Sequence, residues 1–138
     1  MSFGQSAALQ AAIFAALTQD AVLVSLVGDA IYDAVPFGTL PDLYVRMGTE
    51  DVRDASDISG PGAEHRLTVT VITTQPGFTA AKAVAGAVSD VLHDAALTLG
   101  RGRLSSLRFE RARVKRTDSG EARQIDMRFR ARVEDVAP

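Results

Sequence analysis

The chain has two histidines, His65 and His93, and these are the first side chains to weigh for chemistry. His65 opens a run of β-branched residues and His93 closes a helical pattern, so a strand-then-helix unit can bring their ends together for a metal or an acid–base pair. No third group stands at a recognisable spacing to complete either arrangement. His93 near a helix C-terminus is more simply explained by a favourable contact with the helix dipole. Asp51, Asp54 and Asp57 have a spacing superficially like a calcium loop, without the ordered glycine and terminal glutamate that such a loop needs. Gly100-Arg101-Gly102-Arg103 lacks the spacing of a phosphate cradle and its strand-to-helix context. Ser105, Ser106 and Ser119 sit in no nucleophile elbow. Cysteine is absent, which removes disulfides, thiolate metal sites and a cysteine nucleophile. The residues thus point to no catalytic group, no metal and no cofactor.

The denser constellation is cationic. Arg108, Arg111, Arg113, Lys115 and Arg116 fall in one segment, and Arg128, Arg130 and Arg132 in the next. Net charge is −2, but residues 1–100 hold 4 basic and 11 acidic side chains (−7), whereas residues 101–138 hold 11 basic and 6 acidic (+5). Three readings fit this polarity: a solvated strand face, head-to-tail self-association, or a nucleic-acid patch. Base stacking wants aromatics interleaved on the basic face, and they are not there. Glu110, Asp126 and Glu134 dilute the charge and suit cross-strand pairs with arginine. The asymmetry itself fits a basic hairpin that meets the acidic half of a second copy, an arrangement that gives steering and register more than affinity. Asp54, Asp57, Arg108, Arg111, Arg113, Lys115, Arg128 and Arg130 are therefore the candidate subunit or partner contacts.

These residues need elements to position them. The best-formed unit spans residues 64–94. Thr68 to Thr74 form a β-branched strand, Pro76-Gly77 stops it, Thr79 can cap a helix, and Val84, Val88, Val91 and Leu92 mark one helical face. Ala80, Ala83, Gly86 and Ala87 give that helix a small-residue face suited to close packing, against the alanine-rich first helix or another subunit. That first helix covers residues 3–18, with Leu9, Ile13, Ala16 and Leu17 inward and Ser2 as a cap. Asp20 caps a short second helix that Gly28 ends, and the pair reads as core. Leu43–Gly48 is a strand. Residues 52–63 form a long acidic connection, either mobile or ordered against a neighbour. Leu104–Arg116 and Arg123–Glu134 make a hairpin through Asp118, Ser119 and Gly120. Its second strand alternates cleanly. Its first needs a bulge near Glu110–Arg111, or a tip exposed on both sides, to reconcile Leu107 and Phe109 with Ala112 and Val114.

At 138 residues the chain reads as a single α+β domain over 1–138, an antiparallel sheet of about four strands with two main helices packed on one face. With 6% aromatic residues and no Trp, its core must come from Ala, Val, Leu and a few Phe. No Lys or Arg precedes Arg46, so residues 1–17 do not make a secretory signal. No apolar run is long enough to span a bilayer. The expectation is a soluble protein made in the cytoplasm, with no membrane partner.

Four stretches in order resemble a known family: Leu26-Val27-Gly28-Asp29-Ala30-Ile31-Tyr32; Leu40-Pro41-Asp42-Leu43-Tyr44-Val45; Ala63 to Val71 leading into Ala80, Lys82 and Val91-Leu92-His93; and Leu107-Arg108-Phe109-Glu110-Arg111-Ala112 ahead of Arg128-Phe129-Arg130-Ala131. Together they resemble the phage tail-completion or tail-terminator family, most of all its members in alphaproteobacterial prophages and gene transfer agents. The resemblance implies a structural virion protein with no enzymatic activity. It implies a homo-oligomeric ring, usually a hexamer, at the head-proximal end of the tail tube. The implied partners are the major tail tube protein and a head-completion (stopper) protein, with DNA only as cargo through the lumen. Another head–tail connector or neck protein, and a small nucleic-acid-binding module, are the alternatives.

Overall fold

The computed structural model describes residues 3–56, 58 and 60–135. In chain order the elements are α1 (Ser6–Thr18), α2 (Ala21–Val27), β1 (Ile31–Tyr32), β2 (Leu43–Asp54), β3 (Gly62–Thr73), α3 (Thr79–Leu92), β4 (Arg103–Arg116) and β5 (Arg123–Glu134). The strands form one sheet in the order β1-β2-β3-β5-β4. Only β1 runs parallel to its neighbour; every other pairing is antiparallel. The α+β class holds, with five strands rather than about four, because Ile31 and Tyr32 form a two-residue strand that pairs with Val45 and Arg46.

β3 lies at the centre of the sheet. Its residues from Leu67 to Thr73 are almost all buried, as the β-branched run requires. The helices cover one face. There Leu9, Ile13 and Leu17 of α1 meet Val84, Val88 and Leu92 of α3, over Val69 and Val71 of β3 and Met127 and Phe129 of β5. Burying one such side chain fully contributes about 1.5–3 kcal/mol. α2 is capped as its sequence dictates: the Asp20 carboxylate accepts from the Leu23 amide at 3.0 Å, and Gly28 turns the chain at φ 61°. The helical pair is core only in part. Leu23 is buried, but Val22, Val24 and Leu26 are exposed, as are Val35 and Phe37 further along the chain.

Other expectations need correcting. α1 begins at Ser6 with Gln5 as its cap residue, and α3 begins after Phe78, not on a Thr79 side-chain bond; the expected cap Ser2 lies outside the described residues. Ala83 and Gly86 face outward, and a Cβ on Gly86 would touch nothing within 4 Å, so the close approach in the core is made by Ala81 and Ala85 instead. The acidic connection is shorter than residues 52–63, because β2 runs on to Asp54 and β3 starts at Gly62. What hid this is a bulge: register shifts between Met47 and Glu50, which breaks the alternation. β4 carries the expected bulge too, between Phe109 and Arg111, and a second irregularity between Leu104 and Ser106. Beyond the bulge, Arg111 to Val114 are exposed on both faces, so the re-phasing and the bare tip occur together. No single helix among the described residues is long and apolar enough to cross a membrane, and α1 and α2 are bent by 73° at their junction.

Candidate assembly surfaces

The face of the sheet away from the helices is polar. From β2 it takes Arg46 and Asp51, from β3 Glu64, Arg66, Thr68 and Thr70, from β5 Asp126, Arg128, Arg130 and Arg132, and from β4 Arg108, Arg111, Arg113 and Lys115, as the pairing register dictates. Without the bulge at Glu110, Arg111, Arg113 and Lys115 would turn to the opposite face. A hollow of about 300 Å³ opens in this face, lined by Arg46, Thr68, Arg111, Arg113, Lys115 and Arg128 among others.

Its charges are partly compensated. Glu110 stands 3.6 Å from Arg66, 3.9 Å from Arg128 and 4.0 Å from Arg130. Asp126 takes a hydrogen bond from the Thr70 hydroxyl at 2.8 Å and lies 3.9 Å from Lys115. Arg111 and Arg113 have no carboxylate within 4 Å among the described residues. The hollow therefore keeps unspent positive charge, with no aromatic in its lining, as the sequence indicated.

The expected site residues do not all converge. Arg111, Arg113, Lys115 and Arg128 meet at the hollow, and Arg130 stands beside it on Glu110. Arg108 is apart, 3.7 Å from Asp94. Asp54 sits at the far end of β2, where Ser56 donates to its carboxylate at 2.7 Å and holds it below the usual aspartate range. Asp57 lies outside the described residues. The β2–β3 and β4–β5 tips occupy opposite ends of the sheet: Asp54 pairs with Ala63, which is level with Val133 and Leu104, whereas Arg116 pairs with Arg123, which is level with Thr73 and Leu43. The acidic tip and the basic tip thus point in opposite directions. In the Gly-Arg-Gly-Arg turn, Arg101 is bound to Asp135 at 3.3 Å and Arg103 to Glu134, so both cations serve the end of β5.

The histidines have separate duties. His65 is fully buried on the helix face, its Nδ1 3.6 Å from Glu50. The Ser6 hydroxyl donates to the same carboxylate at 2.5 Å. Burial pushes Glu50 up, but the neighbouring His65 imidazole and the hydrogen bond from Ser6 outweigh it and hold the carboxyl below its ordinary value. His93 is not simply a charge at a helix end. Its Nδ1 accepts the Phe109 amide at 3.0 Å, and its Nε2 is 3.4 Å from Asp94. The Asp94 amide in turn donates to the Leu107 carbonyl at 2.7 Å, from a left-handed backbone at φ 58°. Together His93 and Asp94 cover one part of the outer edge of β4. Among the described residues no three acidic, histidine or cysteine side chains gather as a metal site.

A family model for tail completion protein gp17 matches residues 11–134. The chain belongs to the tail completion protein gp17 family. It is similar, at 53% identity and a TM-score of 0.91, to a chain in the solved virion of a native gene transfer agent (GTA) particle, over 96% of this chain and 99% of that one. No curated protein sequence matches it. Tail completion proteins are structural parts of phage-like tails, and the particle context implies association with other tail or virion proteins. Sequence reasoning missed Arg46 as part of the hollow and Glu50 as partner of His65. Arg46 was visible on the polar side of its strand, but strand order was needed to set it level with Asp126 and Arg113. Glu50 was masked by the bulge before it.

Proposed function

We propose that the protein forms a closed homo-oligomeric ring, a hexamer, at the head-proximal end of the tail tube. There it ends polymerisation of the major tail tube protein and presents a surface to the head-completion protein. The role is assembly rather than catalysis, and residues 1–138 act as one domain. DNA is cargo through the lumen. The observation that carries this reading is near full-length similarity to a chain of the GTA virion within a tail completion family. The opposed acidic and basic tips support it, because a ring needs a head-to-tail interface that closes on itself.

The test is a pair of electron micrographs of particles from producing cells with and without the gene. Loss of the protein should give overlong tubes or tails that carry no head, and supplying it in trans should restore both. Normal tails joined to heads in its absence would overturn the proposal.

The hollow, with Arg111 and Arg113 unpaired, favours a second reading, a nucleic-acid module. That reading requires tight duplex DNA binding by the isolated protein with a steep salt slope.

A further inference from the structure

Both edges of the sheet are open, but each only along half its length. On the outer side of β2, strand β1 covers Val45 and Arg46 and then ends; among the described residues the stretch Met47–Asp54 pairs only with β3. On the outer side of β4, His93 and Asp94 bond to Phe109 and Leu107; among the described residues the stretch from Glu110 to Arg116 pairs only with β5. A bare strand edge invites pairing with another chain, and proteins commonly cover or blunt it. Here the cover is diagonal. The guarded half of β2 is level with the open half of β4, since Arg46 aligns through Thr70 and Asp126 with Arg113. Conversely, the open half of β2 is level with the guarded half of β4, since Asp51 aligns through Arg66 and Arg130 with Arg108.

The two open halves are complementary. That of β2 carries Asp51 and Asp54 against Arg53, Glu50 being turned to the helices; that of β4 carries Arg111, Arg113, Lys115 and Arg116 against Glu110. Residues 111–114 and residues 48, 49, 51, 53 and 54 are exposed. β2 and β4 run antiparallel to one another within the sheet, so placing two copies side by side with sheets continuous makes β4 of one antiparallel to β2 of the next, the more stable ladder.

We infer that the open half of β4 in one copy adds to the open half of β2 in a second copy, joining their sheets head to tail. This rests on the ring reading above and names its interface. The guards set its register. A copy docked without offset would drive β2 against His93 and Asp94, so the second copy must slide along the strands by about five residues, or about 17 Å. Closure with such a stagger requires strands tilted to the ring axis.

The chain has no cysteine, so introduced pairs report without background. Asp51→Cys would be combined in turn with Arg111→Cys, Arg113→Cys and Lys115→Cys, all on the open face, and with Arg108→Cys in the guarded half as control. Purified particles would be oxidised and their subunits separated on denaturing gels. A ladder of covalent multimers from at least one of the first three pairs, and monomers from the Arg108 control, is the expected result.

A charge-exchange arm guards against variants that fail to assemble. R111E with R113E should lower the yield of joined particles by about tenfold or more, and adding D51R with D54R should recover most of it. Particles with intact rings that give only monomers from all three pairs, with no recovery on charge exchange, would overturn this interface and leave the ring standing. Tail ends that hold no ring of this protein would overturn both.

Discussion

Glu50 shows how one carboxylate ties three elements together. It joins the start of α1 through Ser6 to the buried His65 of β3, from a strand position that a bulge has turned toward the helices. Because its folded value lies below its ordinary value of 4.5, the stabilisation it brings is present above that value and is lost as pH falls through the folded one. Denaturant midpoints should therefore fall on acidification below about pH 4.5, and Glu50→Gln should flatten that limb while costing about 1–3 kcal/mol at neutral pH. A pH series of urea unfolding curves for both proteins checks this; parallel curves would remove Glu50 from the account. At the core, Phe129 is wholly buried and stacks edge-on against Phe109 at 5.8 Å. Phe129→Ala should cost about 3–5 kcal/mol in the same assay.

Among the elements, β3 and β5 were legible from composition and alternation, since both are regular and paired on each side. The unit from Glu64 to Asp94 was read correctly as strand, turn and helix for the same reason. β2 was not, because Gly48 and Thr49 interrupt its register and its acidic second half has the composition of a loop. β1 was legible as a short extended piece but not as a strand of the sheet, being two residues long. Gly86 misled in the other direction: a glycine in a helix suggests a close neighbour, and none is there. Of the site, the cations of β4 and β5 were legible as a patch. Their meeting with Arg46 depends on strand order, which no local pattern encodes. The bulge at Glu110 offers a test at this scale. Deleting Glu110 should keep Leu107 in the core and Phe109 on the ring of Phe129, since they are anchored, and turn Arg111, Arg113 and Lys115 to the helix side. Far-ultraviolet dichroism should stay close to native while particle joining is lost.

For the molecule as a whole, charge is sorted by place rather than by amount. Reversing Arg111 and Arg113 together should weaken ring assembly, measured as the mass of the complex at tail ends. If that variant forms rings normally but fails to retain DNA, the basic face belongs to nucleic acid. Raising ionic strength should act in the same direction as the reversal on contacts between exposed charges, because screening at 1 M salt acts over about 3 Å.

The sheet order also sets how the protein comes to be folded. β2 with β3, and β4 with β5, are hairpins that can close locally, but the central β3–β5 ladder joins residues such as Thr70 and Asp126, 56 positions apart. Loop closure of that length makes the last step slow. Until α3 has crossed and β5 has docked, each hairpin exposes an additional unsatisfied edge alongside the permanent one. Nascent chains crowded at high synthesis rates would then pair wrongly before they fold. Expression in the cell should show a ceiling, with soluble yield rising when synthesis is slowed, and the ceiling lifting when chaperone capacity is increased.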